Sequence, residues 1–337
     1  MPDRKTIDIH AHYYPEEFLK LIEEEGAPFD AAVDRSNPKG FSIKLGKMQM
    51  PPLQASFTDL EARIADMDER KVDVHALSLT VPMVYWAGRD LGPKLCRAFN
   101  DGIAAAHVAH PDRLIGFAVP PMHEPDLAVE EVDRIADMPG MRGVYAATHV
   151  RDRELSDEAF FPVYERLEEY GLPLFLHPVR VIGAERLSRW HFVNTLGNPF
   201  DNAVAAAYLI FDGILDRFPK LEICLPHAGG ALISVIGRMA HAWKEIPPLR
   251  EKIPDKSPEE YLTRFYYDTI THDGPLLAYL IDRVGADRVM LGSDYCFGMG
   301  YDYPVEIVTE HAGIDEEAQA LIQGGNASRL LRLDEGS

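Results

Sequence analysis

Thiols are scarce in this chain. Its 337 residues include three cysteines, Cys96, Cys224 and Cys296, widely spaced and without a C-x-x-C pair. That argues against a disulfide framework and against a thiolate zinc site, and it fits a reducing compartment. Long apolar runs are missing too, and none approaches the roughly 18 residues a membrane span requires. The opening stretch, MPDRKTIDIHAHYYP, has no apolar core of the kind a secretory signal carries. Positive charge is in deficit: 34 Lys and Arg stand against 54 Asp and Glu, a net charge of −20. The acidic residues are dispersed, so neither nucleic acid nor an anionic membrane is an expected partner. Repeats, low-complexity segments and charge blocks are also lacking. These absences leave a cytoplasmic globular protein as the expectation.

What is present is an alternation of short β-rich runs with longer helical stretches, the pattern of parallel βαβ units. The strands are expected at Thr6–His10, Val74–Thr80, Leu114–Val119, Arg142–Ala146, Leu172–His177, Leu221–Pro226, Phe265–Thr269 and Val289–Asp294. Helices are expected between them. Asp59–Arg70 carries Leu60, Ile64 and Met67 at helical spacing, and Asp126–Met138 carries Leu127, Val129, Val132 and Ile135. Asp157–Tyr170, Pro199–Phe218, Ala231–Ile246 and Gly274–Val284 complete the set. Eight such pairs match an α/β protein built as one (β/α)8 TIM barrel over residues 1–333; a doubly wound open sheet is the competing arrangement. Residues 13–57 break the alternation and are rich in Pro, Gly and Lys. They read as an insertion after the first strand, a small β-ribbon or lid.

The chemistry gathers at strand ends. Strand residues i and i+2 point the same way, so His10 and His12 of Ile-Asp-Ile-His-Ala-His can face one ion. Other strand ends carry His177 (Leu-Phe-Leu-His-Pro), His227 (Pro-His-Ala-Gly-Gly) and Asp294 (Leu-Gly-Ser-Asp). In a barrel these ends converge on one face. The expected ligands of a single divalent ion are His10, His12, His177 and Asp294, with His227 in reserve and a position left open for water. Imidazole and carboxylate together suit zinc, with manganese or iron as alternatives.

Together, DIHAH, LHP, PHAGG and GSDY resemble the amidohydrolase superfamily. VPMVYWAG (Val81–Gly88), GRMAHAW (Gly237–Trp243), THDGP (Thr271–Pro275) and GGNASRLL (Gly324–Leu331) narrow the likeness. The chain resembles the aminocarboxymuconate-semialdehyde decarboxylase group, which includes decarboxylases of resorcylate-type acids, over Ile7 to about Leu331. The resemblance implies the same four ligands and His227 as acid/base. It also implies that Arg238 binds a carboxylate in a neighbouring subunit's site, hence a homodimer. Binuclear relatives bridge two ions through a carboxylated lysine on the fourth strand, and Arg142–Ala146 has none. The chain departs from the pattern at two points: Lys39–Phe57 contains Lys44 and Lys47 but no arginine, and Cys296 replaces a proline common in relatives.

Around this set, Trp86 and Phe297 are candidates to wall an aromatic substrate, and Arg180 is a candidate cation for it; core packing or a solvated loop is the plainer reading of each. Asp273 is expected to cap Gly274–Val284, and Asp8 faces away from the ligands in a structural role. The implied reaction is non-oxidative decarboxylation of an aromatic or muconate-type carboxylic acid, with His227, alone or with Asp294, relaying the proton to carbon. Metal-dependent hydrolysis or hydration on the same residues is the alternative.

Overall fold

The computed structural model describes residues 5–253 and 255–333, so the first four residues of the expected unit lie outside it. Eight parallel strands run in chain order around one sheet. They are β1 (Ile7–His12), β2 (Val74–Ser78), β3 (Leu114–Ala118), β4 (Met141–Ala147), β5 (Leu174–His177), β6 (Ile223–Leu225), β7 (Phe265–Asp268) and β8 (Val289–Met290). The last strand returns to the first through an Ile9 N–H bond to the Leu291 carbonyl at 2.9 Å and a parallel bridge between Ala11 and Tyr295. The strands are nearly continuous apolar runs because both faces are covered, by helices outside and by side chains within.

Helices form in all six expected stretches, Gly274–Val284 with the expected ends and the others with shifted ones. Asp59 accepts from the Glu61 and Ala62 N–H groups to start Leu60–Arg70, and Asp273 accepts from Leu276 N–H to start Gly274–Val284. The stretch expected as one helix from Pro199 to Phe218 is two, Asn198–Phe211 and Ile214–Arg217, broken at Gly213 with φ +73°. A further helix, Leu91–Ala109, was not anticipated. Its glycines and proline weaken the local helical signal, yet Leu95, Cys96, Phe99 and Ile103 are buried. Burial, rather than propensity, holds it.

Two strand ends differ from expectation. β1 continues through His12, so that residue belongs to the strand rather than lying beyond it. β8 stops at Met290, leaving Asp294 four residues past its end. The chain packs closely just beyond: a Cβ on Gly292 would sit 2.8 Å from the Asp268 Cβ and 3.1 Å from the His10 Cβ. Asp294 adopts a left-handed conformation with φ 63°.

Residues 13–57 form a helix, Glu16–Glu25, and an antiparallel ribbon of Ala31–Asp34, Ser42–Leu45 and Met48–Gln49. The segment closes on the barrel mouth, where Gln54 Nε2 donates to the Cys296 carbonyl at 3.3 Å and the Phe57 ring lies 5.0 Å from that of Phe297. Lys44 and Lys47 are exposed. Among the described residues, no helix is long and apolar enough to cross a membrane.

Candidate metal centre

β1, β5 and the loop after β8 bring His10, His12, His177 and Asp294 together, all buried, with one ligand atom from each within 4.8 Å of the others. Three buried imidazoles this close would be costly without a shared partner. Each is oriented through Nδ1. His10 donates to Asp268 Oδ2 at 2.8 Å, His177 donates to the Pro178 carbonyl at 2.8 Å, and His12 lies 3.1 Å from Ser78 Oγ. Such contacts fix the tautomer and leave Nε2 as the ligand atom. His10 Nε2 is buried with no hydrogen-bond partner among the described residues. His12 Nε2 lies 3.1 Å from Asp294 Oδ1. The geometry and the donor set fit one divalent ion.

The protonation tendencies agree. Burial dominates at His12 and pulls it down to about 4, so its lone pair is available at neutral pH. Burial likewise holds His177 well below the usual imidazole value, helped by the neighbouring His12 and His10. Burial opposes charge on His10 as well, but the bond to Asp268 and the charge of Asp294 outweigh it and raise this group. Burial would raise Asp294, yet the His12 bond and the neighbouring imidazoles hold it below the ordinary carboxylate range.

Asp268, at the end of β7, was not singled out in the sequence and does much of the positioning. Its carboxylate binds His10 and also accepts the N–H groups of His227 (2.9 Å), Ala228 (2.7 Å) and Ile270 (3.0 Å). One side chain therefore ties a ligand to the loop that carries His227. In that loop His227, Ala228, Gly229 and Gly230 all have positive φ. A Cβ on Gly230 would fall 2.2 Å from the Pro199 carbonyl oxygen, which is why only glycine fits there. The His227 ring stands 5.3 Å from those of both His10 and His177.

Arg63 is another residue the sequence reading passed over. It is fully buried beneath the site, donates to the His12 and Ser56 carbonyls, and lies over the Tyr295 ring. It occupies the same helix face as Leu60, Ile64 and Met67, a charge on an apolar stripe. Asp8 accepts from Ser293 and from the His10 N–H. Burial pushes its carboxyl up to about 6. On β4, where binuclear relatives would place lysine, the Tyr145 ring lies 6.1 Å from His177 and 6.4 Å from His12.

The candidate substrate residues are dispersed. Phe297 joins the site, its ring 5.4 Å from His12. A cavity of about 330 Å³ opens beside His227 and Asp294, walled by Ile233, Ile270, Leu280 and Met299 with Asn194, Thr271 and His272 among its polar residues. Trp86 is not there: it packs on Phe29 of the insertion at 5.9 Å and donates to the Met83 carbonyl. Arg180 is exposed and lines a separate cavity with Arg151 and Asp201, because the chain turns outward after Pro178. Arg238 is exposed on the outer face of Leu232–Glu245, beside Phe200, Tyr208, Val235 and Met239.

Known proteins resemble this chain along most of its length. The chain is 29% identical to the 2-amino-3-carboxymuconate-6-semialdehyde decarboxylase of Dictyostelium discoideum, across 97% of this chain and 92% of that one. It is 28% identical to the gamma-resorcylate decarboxylase of Polaromonas sp., across 84% and 91%. The solved 5-carboxyvanillate decarboxylase of Novosphingobium aromaticivorans, complexed with manganese and a nitrobenzoic acid, superposes with a TM-score of 0.83 over 98% of this chain and 96% of that one, at 23% identity. Residues 7–333 match the amidohydrolase family model. The chain belongs to the amidohydrolase family, and these curated relatives are decarboxylases.

Proposed function

We propose that this protein is a metal-dependent, non-oxidative decarboxylase of an aromatic or muconate-type carboxylic acid. The observation that carries the reading is the buried set of His10, His12, His177 and Asp294, with His227 beside it but outside it. Zinc is the proposed ion and manganese the second candidate, on the chemistry of three imidazoles and a carboxylate. When bound, the ion supplies Lewis acidity and a fixed positive charge for a carboxylate or neighbouring oxygen.

The chain's own groups do the rest. His227 delivers a proton to the carbon that bears the carboxylate. The carbon–carbon bond then breaks, carbon dioxide leaves, and the bonding pair returns to the ring or enone, so no organic electron sink is needed. Asp294 stays ionised as a ligand, its carboxyl held low by the imidazoles around it. Phe297 and the apolar wall of the cavity exclude water and flank the flat substrate. Arg238 faces away from its own metal site and is proposed to pair with the substrate carboxylate in a partner subunit of a homodimer. The apolar surface around it, including half-exposed Phe200 and Tyr208, supports that reading. The protein is proposed to act in the cytoplasm.

A panel of phenolic and unsaturated acids, followed by ultraviolet absorbance and carbon dioxide release with and without zinc or manganese, tests this reading. Metal-dependent release from at least one acid is expected. Hydrolysis of lactones or amides, with no carbon dioxide from any acid, would replace it with the hydrolase alternative.

A further inference from the structure

The cavity beside His227 and Asp294 pairs an apolar wall with an uncharged polar edge. Among the described residues, no lysine or arginine lines it. Arg151 and Arg180 border a separate cavity, and Arg238 lies on the outer face.

The polar edge comes mainly from one segment. After His177 the chain turns outward and returns through Val193–Gly197 into the helix Asn198–Phe211. Pro199 pins that return. Its carbonyl accepts the Ala231 N–H at 2.9 Å, and a Cβ on Gly230 would fall 2.2 Å from its oxygen. The segment is thereby tied to the loop that carries His227. Asn194 and Asn198 line the cavity from it, both half-buried. Their side-chain amides have no hydrogen-bond partner among the described residues. The neighbouring polar groups are otherwise engaged or stand at the rim. Thr271 Oγ1 donates to the Asp273 carbonyl at 2.8 Å, Thr195 Oγ1 donates to the His191 carbonyl at 3.3 Å, and the ring of exposed His272 lies 4.6 Å from that of Tyr301.

A few fixed polar groups in an apolar cavity orient what enters it. An amide offers an acceptor oxygen and two N–H donors, and it carries no charge. It matches a hydroxyl, a carbonyl or another amide. It does not neutralise a carboxylate, and a carboxylate buried without a cation is costly. A muconate-type acid brings two carboxylates, whereas an aromatic acid needs to bring only one. We infer that Asn194 and Asn198 are specificity-determining residues. They select an acid with one carboxylate, met by the ion and the borrowed Arg238, and with neutral hydroxyl or carbonyl groups at its other end. The inference rests on the proposed function and narrows it to monocarboxylic substrates.

The test is calorimetric titration of the zinc-loaded protein at about pH 8, where an ordinary imidazole is neutral. The probes are benzoate, 3,5-dihydroxybenzoate and benzene-1,3-dicarboxylate. Dihydroxybenzoate should bind about 10-fold more tightly than benzoate, and the dicarboxylate more weakly than either. Asn194→Leu combined with Asn198→Leu should remove the advantage of dihydroxybenzoate while leaving benzoate affinity and zinc content unchanged. Asn194→Lys should tighten the dicarboxylate alone. A wild type that prefers the dicarboxylate, or binds none of the three, would overturn the inference. So would a double variant that weakens benzoate and dihydroxybenzoate alike. The wild-type order of affinities decides the matter even if a variant fails to fold. Binding needs no turnover, so the expected order in a chain that releases no carbon dioxide would sink the decarboxylase reading and leave the selection standing.

Discussion

The barrel floor and the outer face of Leu232–Glu245 treat charge in opposite ways. On the floor, the buried ionisable groups are paired inside the same chain in several places: His10 with Asp268, His12 with Asp294 and Ser78, Asp8 with Ser293. On the outer face, Arg238 is exposed among apolar side chains, with Phe200 49% and Tyr208 42% accessible. A buried polar network must be satisfied before substrate arrives, since an unpaired member costs about 1–3 kcal/mol. An exposed arginine has no such demand and is free to meet a carboxylate on another molecule. The comparison divides the work: one chain carries the whole candidate ligand set, whereas the cation proposed for the substrate carboxylate is offered outward.

The sharpest way to break this division is to remove part of the floor. Turnover should become undetectable in His10→Ala, because the substitution removes one of the four candidate ligands; steady-state assays with added metal check this. His227→Ala should retain a fold and an ion site but lose roughly 10²–10⁴-fold in kcat. Residual turnover close to the wild-type level would remove His227 from the reaction.

Which parts were legible in the sequence follows the same division. The H-x-H pair and the His177 strand end were readable because a strand's alternation and a barrel's polarity fix where those side chains go. Asp268 sat at an equally legible strand end, and the rule that selected His177 would have selected it. Asn202, whose Nδ2 lies 3.2 Å from Nδ1 of His227, carried no such signal. It is a polar residue within a helix, and its partner is 25 positions away on a loop whose left-handed turn pattern cannot be placed from one sequence. Asp294 joins the cluster although its strand ends at Met290, four residues earlier. Arg180 looked close to the site in sequence, but the outward turn after Pro178 takes it elsewhere.

The outer face is tested by Arg238→Ala. If its guanidinium pairs with a substrate carboxylate, the variant should stay folded and metal-loaded while kcat/KM falls by roughly 10–10²-fold, the range for losing a charged hydrogen bond. Mixing it with His177→Ala should restore part of the activity after subunit exchange, because one site of the mixed dimer then has intact ligands and an intact borrowed arginine. No recovery despite demonstrated exchange would place Arg238 within its own chain's chemistry or outside it.

A smaller effect separates the ligands from what orients them. Asp268→Asn should weaken ion binding by roughly 10–100-fold, as measured by competition with a chelator. In the wild type His10 is raised above the usual imidazole value by Asp268 and Asp294, against the effect of burial. Below that raised value the ring is protonated and the ion must displace the proton, so affinity should fall as pH falls through it. Removing the Asp268 charge lowers His10, and the pH dependence of ion binding should flatten in the variant.

The claim on which everything else rests is that His10, His12, His177 and Asp294 hold one ion and His227 does not. Metal content per chain, measured together on the wild type, His177→Ala and His227→Ala after identical loading and desalting, addresses it directly. The account predicts close to one equivalent in the wild type, almost none in His177→Ala and close to one in His227→Ala. Two equivalents in the wild type, or an empty His227→Ala, would contradict it.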